Sequence, residues 1–510
     1  MKKFYLTTPI YYVNGAPHIG HAYTSIAADV LARWRRLDGF AVFFLTGTDE
    51  HGQKVEKAAA EAGLDTQTFT DLVADDFRAM AAAMGVSNDD FIRTTEARHK
   101  RACVALWERL VTNGAIYLGH YEGWYAVRDE AFYGEDELVK KPDGTRLAPT
   151  GAPVEWVREP SYFFRLSAWQ EKLLAFYDRN PDFIAPVARR NEVLSFVRGG
   201  LADLSVSRTS FTWGIPVPND PAHVMYVWLD ALTNYITAAG FPDEAAPRWP
   251  FWPADLHIVG KEIVRFHAVY WPAMLMAAGI APPKRIYSHG WWTVEGEKMS
   301  KSLGNVIDPR QLVAEFGLDP LRYFLLREVP FGNDGDFSRR ALINRLNGEL
   351  ANDLGNLAQR ALALIARNCD GRRPAIGERL PADAALLAAA SALPGVLGER
   401  LARLAFHEAL EEVWKIVRAA NAYIDHQAPW ALRKTDPARM AVVLRVLADA
   451  LRVIATVLQP FMPGSMARLL DQLAVPASAR DLAALAEDLP EGAPLPAPSG
   501  IFPRFVAPVG

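Results

Sequence analysis

Residues 4 to 13 are a run of β-branched, aromatic and other apolar types that stops at Asn14-Gly15-Ala16-Pro17, and the period then changes at once. From Ile19 onward, Ile19, Ala22, Tyr23, Ile26, Val30 and Trp34 fall on one helical face. A second strand is expected at 41 to 45 and a further helix from 54 to 62. A buried strand, a tight turn, an amphipathic helix and another buried strand make the βαβ unit of a parallel sheet, which confines the chain to α/β folds. No G-x-G-x-x-G follows the first strand, so the usual nicotinamide or flavin version is disfavoured.

The rhythm breaks between about 119 and 210, where aromatics, charges, glycines and prolines mix, as in Pro142-Asp143-Gly144 and Pro149-Thr150-Gly151. A mixed α/β insertion between two halves of one sheet accounts for this. The α/β pattern resumes at 224 to 235, with a strand at 256 to 260, a helix over 263 to 278 and a strand at 286 to 288. After about Asn344 the class changes. Phe406, Leu410, Val413, Trp414, Val417 and Ile424, then Met440, Val443, Leu444, Leu447, Leu451, Ile454 and Leu458, repeat every 3.6 residues. The expected domains are a Rossmann-like catalytic half (1–118), an insertion (119–223), the second catalytic half (224–292), a stem-contact region (293–343), a helical bundle (344–475) and an Ala/Pro-rich tail (476–510). In the tail, Ile501, Phe502 and Phe505 are apolar enough to pack back on the body.

With 510 residues and half of them apolar, several cores can form. A net charge of -4 excludes a uniformly basic nucleic-acid binder but not a local basic face. The two cysteines, Cys103 and Cys369, exclude a disulfide scaffold and fit a reducing compartment. No uninterrupted apolar stretch approaches the roughly 18 residues of a spanning helix. A cytoplasmic chain with no membrane partner is expected.

Two short segments carry the chemistry. His18-Ile19-Gly20-His21 opens the first helix, where both imidazoles can face one side and the helix N-terminus offers unpaired N–H groups to an anion. Gly20 lets a ligand approach the backbone. Lys298-Met299-Ser300-Lys301-Ser302, flanked by Gly296 and Gly304, puts two ammonium groups on a turn able to close over a polyphosphate. Taken singly, the first is equally a chance pair of helix-start histidines, and the second reads better as a solvated loop.

As an ordered pair on opposite halves of a divided α/β domain, the two segments match the hallmark motifs of class I aminoacyl-tRNA synthetases. Thr7-Thr8-Pro9-Ile10-Tyr11-Tyr12-Val13-Asn14-Gly15 and Phe44-Leu45-Thr46-Gly47-Thr48-Asp49-Glu50-His51-Gly52-Gln53 resemble the methionyl-tRNA synthetase family in particular. The similarity runs over roughly residues 4 to 470. It implies ATP-dependent ligation of L-methionine to methionine tRNAs, initiator and elongator, through methionyl-adenylate, with Mg2+ entering on ATP. His18, His21, Lys298 and Lys301 are then catalytic, and His18, Gly20, His21, Lys298, Ser300 and Lys301 bind ATP. Ile10, Tyr12, Asp49, Trp228, Ala231, Leu232, Tyr235, Ile263 and His267 form the methionine site, with Asp49 taking the α-ammonium. Arg208 lies near the closing active site. Asn352, Asn356, Arg360 and Trp430 read the anticodon, and the enzyme is monomeric. Without the resemblance, the aromatics read as core and the Asn352, Asn356, Arg360 array as a solvent-facing stripe.

The chain departs from many family members at the insertion. Ala126 and Asp129 stand where a C-x-x-C knuckle is expected, and residues 146 to 153 supply no thiol, so no structural zinc is expected. The competing readings are a class I synthetase for leucine, isoleucine, valine or cysteine and an inactive tRNA-binding paralogue. The branched-chain enzymes carry a long editing insertion for which there is no room, cysteinyl enzymes read the thiol with a zinc whose ligands are missing, and the intact motifs disfavour the inactive paralogue.

Overall fold

In the computed structural model, which describes residues 1–129, 131–135, 137–299 and 304–506, the catalytic sheet has six strands. In chain order these are β1 (Lys3–Tyr12), β2 (Ala41–Asp49), β3 (Asp90–Arg93), β4 (Ile184–Ala185), β5 (Leu256–Gly260) and β6 (Ile286–His289). Their spatial order is β3-β2-β1-β5-β6-β4, and every pairing is parallel. The chain winds outward from β1 in both directions, leaving a switch point between β1 and β5 at the carboxyl ends. Open α/β sheets bind ligands there. Gly47 in β2 is required by close approach, since a Cβ there would lie 2.0 Å from the Ile92 carbonyl oxygen on β3.

The insertion is a four-stranded antiparallel sheet built on the pairing of Ile116–Ala126 with Glu155–Phe164. The interval 119–223 is not uniform, because β4 lies within it and closes the far edge of the catalytic sheet. The expected helix over 263 to 278 is broken: a 3₁₀ turn at Lys261–Ile263 leads into a π-helical turn at Phe266–Tyr270 and an α-helix at Trp271–Ala277. Such π turns concentrate at functional sites, and this one carries His267.

Beyond Ser338 the chain is helical, beginning a few residues earlier than expected, at Arg339–Arg345. Helix Pro381–Ala402 passes a length-and-apolarity test for membrane spanning, yet it turns Leu386, Ala390, Leu393, Leu397 and Leu401 into the bundle against helices Phe406–Gln427 and Pro437–Leu458. The tail folds back, as its apolar residues led one to expect: Ile501 and Phe502 are buried, and Asn347 exchanges two hydrogen bonds with the Phe505 backbone.

One buried carboxylate pins the bundle. Asp383 accepts from both terminal nitrogens of Arg439 (2.5 and 2.7 Å), from the Tyr423 hydroxyl (2.6 Å) and from the Leu380 N–H. Burial alone would raise its pKa, but these donors, Arg439 first, outweigh it and hold the group down at about 2. The folded value lies below the unfolded one, so the stabilisation is present above pH 4 and lost as pH falls towards 2, amounting to about 2 kcal/mol. Asp383→Asn should lower the thermal midpoint at pH 7 and flatten the acid limb between pH 4 and 2, read by circular dichroism. An unchanged acid limb would contradict the assignment.

Candidate active site

The first helix (Ile19–Leu37) follows β1 through the 14–17 turn, and His18 is its N-cap. His18 Nδ1 accepts from the Gly20 N–H and His21 Nδ1 from the His18 N–H, both at 3.1 Å, a reciprocal cap made entirely of imidazole. The two rings lie 3.9 Å apart between centroids. A Cβ on Gly20 would sit 2.9 Å from the His18 ring, so the glycine makes room for this cap.

Two consequences follow. Each Nδ1 is an acceptor, so in the neutral ring the proton is on Nε2, leaving an Nε2–H donor on each ring. Burial lowers the pKa of both, with Glu262 opposing it at His18 and the His18 charge adding to it at His21. The pair is therefore neutral at pH 7 and offers hydrogen bonds, not cations. The second consequence corrects an expectation. The helix does not present unpaired N–H groups: Ile19 N–H donates to the Ile307 carbonyl, Gly20 to His18 Nδ1, and His21 and Ala22 to the His18 carbonyl. The cap and the Ile307 carbonyl consume them, so an anion here meets imidazole.

A cavity of about 520 Å³ opens at the carboxyl ends of β1, β2, β5 and β6. His18, Gly20 and His21 line one part of it. All nine residues expected for methionine line it as well: Ile10, Tyr12, Asp49, Trp228, Ala231, Leu232, Tyr235, Ile263 and His267. Asp49 ends β2 and is 4 % exposed. The cleft helix (Val227–Ala239) contributes Trp228, Ala231, Leu232 and Tyr235, and Trp228 stacks on Phe266 at 3.4 Å between centroids. The His267 Nδ1–H donates to the Ile263 carbonyl (2.9 Å), so Nε2 accepts from the Tyr235 hydroxyl (2.7 Å). Burial pulls His267 down to about 4, against the opposing Ile263 carbonyl. At neutral pH this wall is uncharged and its polar atoms are engaged with each other, as an uncharged thioether requires.

The backbone of Lys298 pairs antiparallel with Thr293 in a short hairpin, and Met299 beyond it lines the cavity. The Lys298 side chain, Ser300 and Lys301 lie outside the described residues. Arg208 does not line the cavity. It is buried behind it, 3.7 Å over the Tyr226 ring, and donates to Ser205 Oγ and the Ser207 carbonyl. Tyr226 caps the cleft helix, so Arg208 bears on that helix from the insertion side.

Sequence reasoning missed Glu262, His289 and Trp291, which also line the cavity. Glu262 accepts from Trp291 Nε1–H (2.6 Å), and His289 Nε2 pairs with Thr24 Oγ1 (2.8 Å) on the first helix. Their position just after β5 and at the end of β6 was the available signal, because carboxyl ends of parallel strands face ligands.

The family model described as tRNA synthetases class I (M) matches residues 4–362, and one described as the anticodon binding domain of methionyl tRNA ligase matches residues 374–507. The chain belongs to the methionyl-tRNA synthetase family. A relative from Mesorhizobium japonicum named methionine–tRNA ligase is 57% identical over 99% of this chain and 98% of its own. One of the same name from Brucella suis is 56% identical over the same shares. A solved structure of Mycobacterium tuberculosis methionyl-tRNA synthetase in complex with methionyl-adenylate superimposes with a TM-score of 0.97 at 54% identity, covering 99% of this chain and 100% of that one.

Of the residues expected to read the anticodon, the structure brings Arg360 and Trp430 together. Asn352 is exposed in a π-helical segment, Leu346–Gly355, and Asn356 is exposed at the start of helix Asn356–Asn368. Arg360, one turn on, pairs with Asp425 (2.5 Å) and lies 5.7 Å from the Trp430 ring, which is 47 % exposed.

Proposed function

We propose that this chain joins L-methionine to its tRNA in two steps at the 520 Å³ cavity. Methionine carboxylate attacks the α-phosphorus of Mg-ATP, giving methionyl-adenylate and pyrophosphate. The terminal ribose hydroxyl of the tRNA then attacks the activated carbonyl, releasing AMP and methionyl-tRNA. The observation that carries this reading is the convergence of the two imidazole Nε2–H donors and the Asp49, Trp228, Tyr235 and His267 set on one cavity. His18 and His21 hydrogen-bond the phosphate as charge builds at phosphorus, and Lys298 and Lys301 neutralise the leaving pyrophosphate. Asp49 holds the α-ammonium as a charge-assisted pair. Amino-acid-dependent pyrophosphate–ATP exchange tests the specificity with the twenty amino acids in turn. Exchange strongest with leucine, or absent with methionine, overturns it.

Anticodon reading by Asn352, Asn356, Arg360 and Trp430 is supported by the exposure of Asn352 and Asn356 and by the nearness of Arg360 to a half-exposed indole, a platform for an unstacked base. Trp430→Ala should cut tRNA charging roughly 10-fold or more, as expected for losing about 1–3 kcal/mol of stacking, with exchange unchanged. Equal loss of both activities would defeat the assignment.

The insertion is proposed to be zinc-free. Its turns are tied instead by Asp129, which accepts from Tyr133 (3.0 Å), Arg128 (3.2 Å) and Thr150, around a small apolar cluster of Ala126, Ala148 and Ala152. Elemental analysis of untagged protein should find no stoichiometric zinc, and one equivalent would refute this. A cytoplasmic monomer serving initiator and elongator methionine tRNAs, with Arg208 coupling the insertion to the cleft helix, completes the reading.

A further inference from the structure

The segment that carries Asp49 is held on several sides. Glu50 N–H donates to Thr94 Oγ1 (2.9 Å), and its carboxylate accepts from Arg93 (2.6 and 3.0 Å). Trp213 Nε1–H donates to the Glu50 carbonyl, and Gly52 N–H to the Trp213 carbonyl. The Tyr12 hydroxyl reaches the His51 carbonyl at 3.4 Å. One more bond leaves the segment in another direction: His51 Nδ1–H donates to Asp230 Oδ2 at 2.6 Å. Asp230 belongs to the cleft helix, and its other oxygen accepts from His99 Nε2–H at 2.7 Å.

The helical geometry gives this link a meaning. At 100° per residue, Trp228, Ala231, Leu232 and Tyr235 share the face turned to the cavity, and Asp230 falls on the reverse. Asp230 is fully buried, His51 is 3 % exposed and His99 is fully buried. The carboxylate therefore draws the back of the cleft helix onto the Asp49 segment while the front forms the apolar wall. His99, Cys103 and Asp230 offer atoms within 4.8 Å of one another, a grouping that could suggest a metal ion. The hydrogen bonds argue otherwise. An ionised carboxylate only accepts, so each imidazole points an N–H at it and not a lone pair. Burial pushes the Cys103 thiol up, keeping it protonated and a poor ligand.

Methionine is read at two ends, the ammonium and the thioether. A site of this kind measures the distance between its carboxylate and its apolar wall, and apolar contacts alone separate analogues differing by one methylene only about 10–200-fold. We propose that Asp230 is a positioning residue that, through His51, fixes the spacing between the Asp49 carboxylate and the cavity face of the cleft helix and thereby sets selectivity for the length of the methionine side chain. This rests on the methionine-site reading above, and the test separates the two.

The variants are Asp230→Asn, His51→Leu, His51→Asn and Asp49→Asn, assayed by pyrophosphate exchange with methionine, with S-methylcysteine (one methylene shorter) and with ethionine (one longer). Asp230→Asn and His51→Leu should raise KM for methionine about 10-fold and shrink the preference over both analogues roughly 5-fold, with KM for ATP within about 2-fold, because apolar selection is a matter of small spacing differences. His51→Asn keeps an N–H where Nδ1 stood and should return KM to within about 3-fold of the parent. A merely structural role predicts the opposite split: less active enzyme, hence lower kcat, with both KM values and both preferences unchanged. That result, or His51→Asn behaving no better than His51→Leu, overturns the proposal, and the His51 pair decides it even where Asp230→Asn does not fold. Asp49→Asn tests the underlying site. If it keeps the parent KM for methionine, the site reading fails whatever Asp230 does.

Discussion

Asp49→Asn is expected to lower kcat/KM for methionine in pyrophosphate exchange by about 10²–10³-fold, chiefly through KM, because truncating one charge of a buried hydrogen-bonded pair costs about 2–5 kcal/mol. Asp49 is the last residue of β2, 4 % exposed, and lines the same cavity as the apolar wall. Asparagine keeps the shape and removes the charge, so packing around the position is retained while an ammonium entering the cavity loses its counter-charge. KM for ATP should stay within about 2-fold, since the phosphate donors are His18 and His21 on another element. Steady-state exchange with methionine varied at saturating ATP, and then the reverse, reads both quantities. A parent-like KM for methionine would remove Asp49 from the site.

What the sequence made legible divides along physical lines. The first strand, the first helix and the bundle helices announce themselves by period, because each buries one face and the burial is local to the element. The nine methionine-site residues were reachable through resemblance, and the cavity collects all of them. The rest depended on partners distant in the chain. β4 is two residues long and carries no periodic signal. The π turn that brings His267 to Tyr235 breaks a pattern that reads as plain helix. Nothing local could show that the first-turn N–H groups are already spent, since one of them is taken by the Ile307 carbonyl far along the chain. The Asp230 link behind the cleft helix is of the same kind: His51, His99 and Asp230 come from three separate segments of the chain, and each alone reads as a buried polar residue.

Arg322→Met should destabilise the enzyme by about 3 kcal/mol, the range for removing one partner of a buried ionic cluster. Arg322 is fully buried where the catalytic domain meets the bundle. It donates to Asp29 Oδ2 on the first helix (2.6 Å), to the Met84 carbonyl (3.0 Å), and to the Pro460 and Phe461 carbonyls (2.8 and 3.0 Å) at the end of helix Pro437–Leu458. Methionine fills much of the stem volume but leaves these three carbonyls without the guanidinium, so the loss is of hydrogen bonds and not of packing. Asp29 keeps Arg33 (2.7 Å) and Ser87, which holds the effect below the top of the range. Burial opposes ionisation of Asp29, but Arg322 and then Arg33 overcome it and hold the carboxyl below its ordinary value. With the folded pKa depressed, this stabilisation exists above pH 4 and fades as pH falls below it. The gap between parent and variant should therefore narrow at pH 3.5 relative to pH 7, where a midpoint drop of roughly 3–6 °C is expected for a chain of this size. Equal midpoints at pH 7, or a gap that widens in acid, would show that Arg322 is not the joint between the helix bearing His18 and His21 and the helices that carry Trp430.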